Sequence, residues 1–147
     1  MFKKLVSTSG DVTLTMLRLT LGTVFFAHGA QKMLGWFGGY GFSGTMGFLT
    51  HQMGVPAPLA FLAIVTEFFG GLGLIVGFLT RIPALGIAVE MISVVLMFHL
   101  RNGFFMNWLG NQKGEGYEYH LLAIAIAAVL LLRGAGAFSV DRALSRI

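Results

Sequence analysis

The chain contains no cysteine in 147 residues. Disulfides, thiolate metal sites and dithiol relays within it are therefore excluded. Charge is scarce as well: 11% of residues are charged, where soluble domains average about 25%. Acidic residues are the scarcer sign, six Asp and Glu against ten Lys and Arg, for a net charge of +4. No Arg/Lys cluster with interleaved aromatics occurs, so no nucleic-acid partner is expected. The positive balance instead reads as membrane topology and lipid-headgroup contact. No G-x-S-x-G, P-loop or dinucleotide fingerprint stands in a suitable setting, and nothing specifies hydrolase, kinase or nicotinamide chemistry. No internal repeat, low-complexity tract or domain boundary interrupts residues 1–147, which read as a single membrane domain.

What is present is apolar. Hydrophobic residues make up 56% of the chain and the mean hydropathy is +0.80. Four apolar runs follow one another, at about 12–34, 57–79, 82–101 and 117–133. The expected fold is all-α: a polytopic membrane four-helix bundle with short loops. A cleavable signal peptide competes for the first run, with Lys3 and Lys4 as its basic start. Arg18 would then fall in its apolar core, and the run is too long for one. Between the first two runs, Ser43 is placed to N-cap a short helix lying along the membrane surface. Pro56 and Pro58 suit the start of the second helix. Thr80 to Pro83 leaves room only for a tight connector, which makes the second and third helices antiparallel neighbours. With both termini on one side, that side holds Lys3, Lys4, Arg81, Arg133, Arg142 and Arg146, and the other holds Lys32, Arg101 and Lys113. The asymmetry predicts cytoplasmic termini and an inner-membrane location, with the two longer loops outside.

The second run carries one charge, Glu67, near mid-membrane. A carboxylate there must face other helices and find a cation. Gly70 and Gly71 remove bulk on nearly the same face, and Gly73 with Gly77 adds a GxxxG spacing. At about 1.5 Å per residue, Arg18 lies roughly 9 Å in from its end of the first helix and Glu90 roughly 10 Å in from that end of the third. A buried polar cluster of Arg18, Glu67 and Glu90 is therefore predicted. One cation cannot neutralise two carboxylates, so one of them is expected to hold a proton. The plainer alternative is that the cluster only sets helix register.

A second polar group is expected at the outer helix ends, from Lys32 and His28 on the first helix, His99 and Arg101 on the third, and Glu118 and His120 on the fourth. Lys and Arg can hold an anion or a quinone oxygen, and histidine can carry protons. Glu90 and His99, nine residues apart, should lie on opposite sides of the third helix. No HxxxH or ExxH pair supports a metal site. Phenylalanines and methionines read as packing.

Arg18-Leu-Thr-Leu-Gly22, His28-Gly-Ala-Gln-Lys32, Glu67-Phe-Phe-Gly-Gly71, Gly77-Phe-Leu-Thr-Arg81, His99, Asn102-Gly-Phe-Phe105, Gly116-Tyr-Glu-Tyr119 and Gly134-Ala-Gly-Ala-Phe-Ser-Val-Asp141 together resemble the DoxX family of small membrane proteins. The match runs from about residue 12 to 142. The resemblance implies a four-helix membrane bundle associated with redox work, since relatives include subunits of a terminal quinol oxidase and of a thiosulfate:quinone oxidoreductase. Another relative is linked to an oxidative-stress complex with superoxide dismutase and a sulfurtransferase. It further implies polar positions at Arg18, Lys32, Glu67, His99 and Glu118, whereas Glu90 and His120 fall outside the family pattern.

The expected function is thus that of a redox-associated membrane subunit, an oxidoreductase component with a quinone as the suggested cofactor. His99 and Glu118 would handle protons, and Lys32, Arg101, His28 and His120 would bind a quinone or small anion. A redox partner subunit or a second copy would complete it. The alternatives are a small-solute transporter or permease, and a membrane anchor or assembly factor without chemistry of its own.

Overall fold

The computed structural model describes residues 2–146, and every regular element among them is helical. Three helices are long and apolar enough to cross a membrane: Val12–Leu34, Ala57–Val76 and Arg81–Asn102. The first, α2, follows a short α1 (Phe2–Val6). A short helix, α3 (Gly41–Gly47), and one π turn (Phe48–Gln52) then lead to the second. That second helix consists of α4 (Ala57–Val65), a π turn (Thr66–Gly70) and α5 (Gly71–Val76). The third is α6 (Arg81–Val94), extended by a π turn (Val95–His99) and a 3₁₀ turn to Asn102. A fourth helix, α7 (Glu118–Arg133), packs on α6 and α2 and has 16 residues. At about 1.5 Å per residue it is roughly 24 Å long, shorter than the others. A six-residue α8 (Val140–Ser145) ends the chain.

Local chemistry explains the ends of α2. The Asp11 carboxylate accepts the Thr13 N–H at 2.8 Å, an N-cap. Gly35, at φ 75°, stops the helix and returns its N–H to Gln31 at 3.2 Å. The buried side of α2 carries Leu14, Arg18, Leu21, Gly22, Phe25 and Gly29, at helical spacing. Its glycines face the second helix at backbone distance. A Cβ on Gly29 would lie 2.3 Å from the Phe68 nitrogen, one on Gly71 2.4 Å from that of Phe26, and one on Gly22 2.9 Å from that of Ile75. Close approach thus comes from Gly22, Gly29 and Gly71, not from the Gly73–Gly77 spacing. Gly77, at φ 71°, ends α5, and a Cβ on Gly73 would meet nothing closer than 3.4 Å. For the same reason the second helix stops at Val76 rather than running on to residue 79.

The core between the four long helices is Leu21, Phe25, Leu74, Ala84, Ile87, Met91, Ala123, Ala127 and Leu130. Outside it, Met16, Leu62, Phe69, Leu85, Val89, Leu96 and Leu122 are exposed. An apolar exterior wrapped around a core this small is the surface a lipid bilayer covers.

At one end of the bundle, here the terminal face, α1, α8, the turn between the second and third helices, and residues 134–139 are tied together by polar bonds. Arg18, 1% exposed, donates to main-chain carbonyls only: Nε to Ala135 at 3.1 Å, Nη1 to Leu74 and to Ile75, and Nη2 to Phe138 at 3.2 Å. Arg81 does the same for Leu131, Leu132 and Ser7. Asp141, buried, accepts the N–H groups of Leu79 at 2.7 Å and Thr80 at 2.9 Å, and so caps α6, whose own Thr80 side chain makes no cap. The chain ends, read from sequence as a polar start and a basic tail, are two helices built into this knot. Replacing Asp141 with alanine strands one buried and one half-buried N–H group. The expected loss is about 2–3 kcal/mol of stability, with asparagine recovering part of it; thermal unfolding in detergent measures it.

Candidate functional site

Of the predicted group, Glu67 and Glu90 become neighbours and Arg18 does not join them. Side chains of an α-helix lean toward its N-terminus. On α2 that direction is the terminal face, so Arg18 leans away from Glu67, and Lys32, four turns on, leans back into the bundle toward it. Lys32 Nζ lies 2.5 Å from Glu67 Oε2. This is the sole salt bridge among the described residues. Gly29, one turn before Lys32, sets the backbone approach that makes the contact possible.

Glu67 sits in the π turn of the second helix and is 6% exposed. Glu90 lies on α6, which packs against that turn, and it neighbours Glu67. Glu90 Oε2 is buried and has no hydrogen-bond partner. Tyr119 of α7 lies within electrostatic reach of both carboxyl groups. Four helices therefore contribute one polar group each to an interior cluster of Lys32, Glu67, Glu90 and Tyr119. In the sequence Tyr119 stands out only within the Gly116-Tyr-Glu-Tyr119 stretch and carries no assigned role; its place on the same helical turn as Glu118 and His120 is the signal that was available.

Lys32 also lines a cavity of about 290 Å³ beneath α3, together with Gln31, Tyr40, Thr45, Phe48 and Leu49. This cavity lies at the end of the bundle opposite the termini, the loop face. Lys32 thus belongs both to the interior cluster and to a space open at that face.

Of the six residues predicted to converge at the outer ends, the structure brings two together. The rings of His99 and His120 lie 4.3 Å apart between centroids. His99 Nδ1 is 2.8 Å from the Glu115 carbonyl, which makes that nitrogen the protonated one. His120 is buried, and its Nδ1 has no partner. The expectation that His99 and Glu90 point to opposite sides of the third helix assumed a regular α-helix. The π turn at Val95–His99 takes about one residue out of the helical count, which swings His99 roughly 100° back toward the Glu90 side. Both then meet the first turn of α7, Glu90 near Tyr119 and His99 against His120.

The other four separate. Lys32 joins Glu67. Arg101 is exposed beside Asn102 and Lys113, over a surface hollow. His28 is exposed on another side of α2, next to Val24, Ala27 and Phe37. Glu118 accepts from the Met106 N–H at 3.0 Å and the Trp108 indole at 3.1 Å, and so ties the 103–117 loop to α7. No group of three or more His, Cys, Asp or Glu suited to a metal ion occurs among the described residues.

These features define a small helical membrane protein with a lysine–carboxylate cluster between its helices and a cavity at one face. The chain belongs to the DoxX family, whose model matches residues 13–100. It is 32% identical over 136 residues to the inner membrane protein YqjF of Escherichia coli (strain K12), covering 92% of this chain and 95% of that one. It is 28% identical over 122 residues to the Bacillus subtilis (strain 168) protein named "Putative oxidoreductase CatD", covering 83% of this chain and 81% of that one. A Mycobacterium tuberculosis membrane protein, Rv3486, is 26% identical over 150 residues, covering 97% of this chain and 88% of that one. No solved structure matches the chain.

Proposed function

We propose that this DoxX protein is a redox-associated inner-membrane subunit that binds a quinone or a small anion in the cavity beneath α3. The observation that carries the reading is Lys32, an ammonium held by a buried carboxylate at the wall of a cavity flanked by Tyr40 and Phe48. A cation there can hold a quinone oxygen or an anionic group by a charge-assisted bond, and the rings can flank a planar head group. The cavity volume is near the lower end of the usual range for small-molecule sites, about 300 Å³. The oxidoreductase label in the CatD name supports the same direction.

In this reading α7 spans the bilayer as the fourth helix, and both termini are cytoplasmic, in line with the basic residues gathered at the terminal face. Lys32 orients the bound group, and the His99–His120 pair passes protons at the loop face. Glu118 orders the 103–117 loop against α7. A quinone would supply the two-electron chemistry itself, and a partner subunit or a second copy would exchange the electrons.

Native mass spectrometry of the protein gently extracted from its own membrane tests this. A quinone or small anion is expected on the wild-type chain, with retention at least tenfold lower in Lys32→Met, which keeps side-chain length and removes the charge. A chain bound only to lipid or to other proteins would end the redox reading in favour of a permease or assembly factor.

A further inference from the structure

The interior cluster has a charge balance that holds whatever the cavity binds. Its ionisable groups are Lys32 from α2, Glu67 from the second helix, Glu90 from α6 and the Tyr119 phenol from α7, one from each helix packed against it. With both carboxyls ionised the cluster is an anion buried among apolar helices, which is costly there. Two ionised carboxylates also cannot hydrogen-bond to each other, since neither has a donor. Yet α6 packs Glu90 toward the turn that carries Glu67, and the buried Glu90 Oε2 has no hydrogen-bond partner. One proton resolves both problems: it makes the cluster neutral and supplies the missing donor.

We propose that Glu67 and Glu90 form a proton-binding site, one carboxylic acid donating to one carboxylate, that exchanges with water at the loop face past Lys32. Lys32 neutralises the carboxylate and stands in the cavity wall, so the path from the pair to that space runs along one side chain. On release, the O–H bond of the acid breaks, its electron pair stays on the carboxylate, and water in the cavity takes the proton as hydronium. The cluster is left with one net negative charge. Uptake is the reverse, and neither direction needs an oxidant or reductant.

Infrared spectroscopy of the purified full chain in lipid bilayers, stripped of small molecules, is the test. At neutral pH the wild type should show a carboxylic-acid carbonyl band worth about one group per chain, moving promptly when H₂O is replaced by D₂O. The chain has only six acidic residues, so the band can be assigned. Glu67→Gln and Glu90→Gln should each abolish it, because the remaining carboxylate pairs with Lys32 alone. Lys32→Met should raise it toward two groups. Absence of the band in the wild type, its survival in both glutamine variants, or failure to shift in D₂O would each overturn the proposal. Should both glutamine variants fail to fold, the wild type alone decides: loss of one exchangeable group per chain on raising the pH supports the site, and a band that never titrates refutes it. Quinone retention is not read here, so loss of the redox reading leaves this result standing.

Discussion

Replacing Arg18 with leucine should cost about 3–5 kcal/mol of stability, from main-chain carbonyls that lose their donor at roughly 1–3 kcal/mol each. Arg18 is 1% exposed and its guanidinium serves four main-chain carbonyls, those of Leu74, Ile75, Ala135 and Phe138. Leu74 and Ile75 lie in the last turn of α5, where carbonyls run short of donors: Leu74 accepts the Gly77 N–H at 3.2 Å, and Arg18 serves both. Ala135 and Phe138 belong to the segment that turns back after α7. Leucine would leave the carbonyls of Ile75, Ala135 and Phe138 without a donor, and Leu74 with only the Gly77 N–H, at the point where three parts of the chain meet. Lysine keeps the charge but presents one ammonium in place of a planar fork, so it should recover only part of the loss. Thermal unfolding of the detergent-solubilised variants measures the effect. A loss under about 1 kcal/mol for leucine would show that the carbonyls find other donors. Because Arg18 faces away from the Lys32 cluster, the carboxylic-acid band of whatever protein folds should be unchanged.

The second large effect is expected at Gly29. An alanine Cβ there would stand 2.3 Å from the Phe68 nitrogen, 2.4 Å from its Cα and 2.6 Å from the Glu67 carbonyl carbon. These are backbone atoms that no rotamer change can move, so α2 and the second helix must separate. Gly29→Ala should cost more than about 3 kcal/mol, beyond the usual penalty for overpacking a core. It should also pull Lys32 from Glu67 in any folded fraction. Gly47→Ala is the control: nothing lies within 4 Å of its Cβ position, and it sits within α3. Alanine suits a helix interior better than glycine by about 1 kcal/mol, so that change should be neutral or mildly stabilising. Comparable yields of folded protein from both variants would refute the close-approach account.

Much of the fold was legible. Long apolar runs broken by glycine, proline and single charges mark where helices begin and end, because burying a helix in lipid demands that pattern. The Gly70–Gly71 pair was read as a place of close approach, and Gly71 does lie against Phe26. Gly22 and Gly29 carry the other half of that contact. They were less visible because spacing along one helix does not say which neighbour it meets. The candidate site was legible only as an inventory. Glu67 was expected to find a cation between helices, and it does; the cation is Lys32 rather than Arg18. Linear depth paired Glu67 with Arg18 and assigned Lys32 to the outer helix ends; the lean of side chains toward the helix N-terminus reverses that.

By itself, then, the sequence determined the class of protein, the helical fold, the family and the need for a paired intramembrane carboxylate. These follow from composition and local periodicity, which act over a few residues at a time. Only the tertiary structure decided which polar groups meet. It sent Arg18 to the carbonyls of the terminal face and Lys32 to Glu67. Through a single π turn it brought His99 onto the side shared with Glu90 and α7. The physical reason is that a contact between helices depends on their rotation, their distance and the direction in which each side chain leans, and a one-residue change in helical count turns everything beyond it by about 100°.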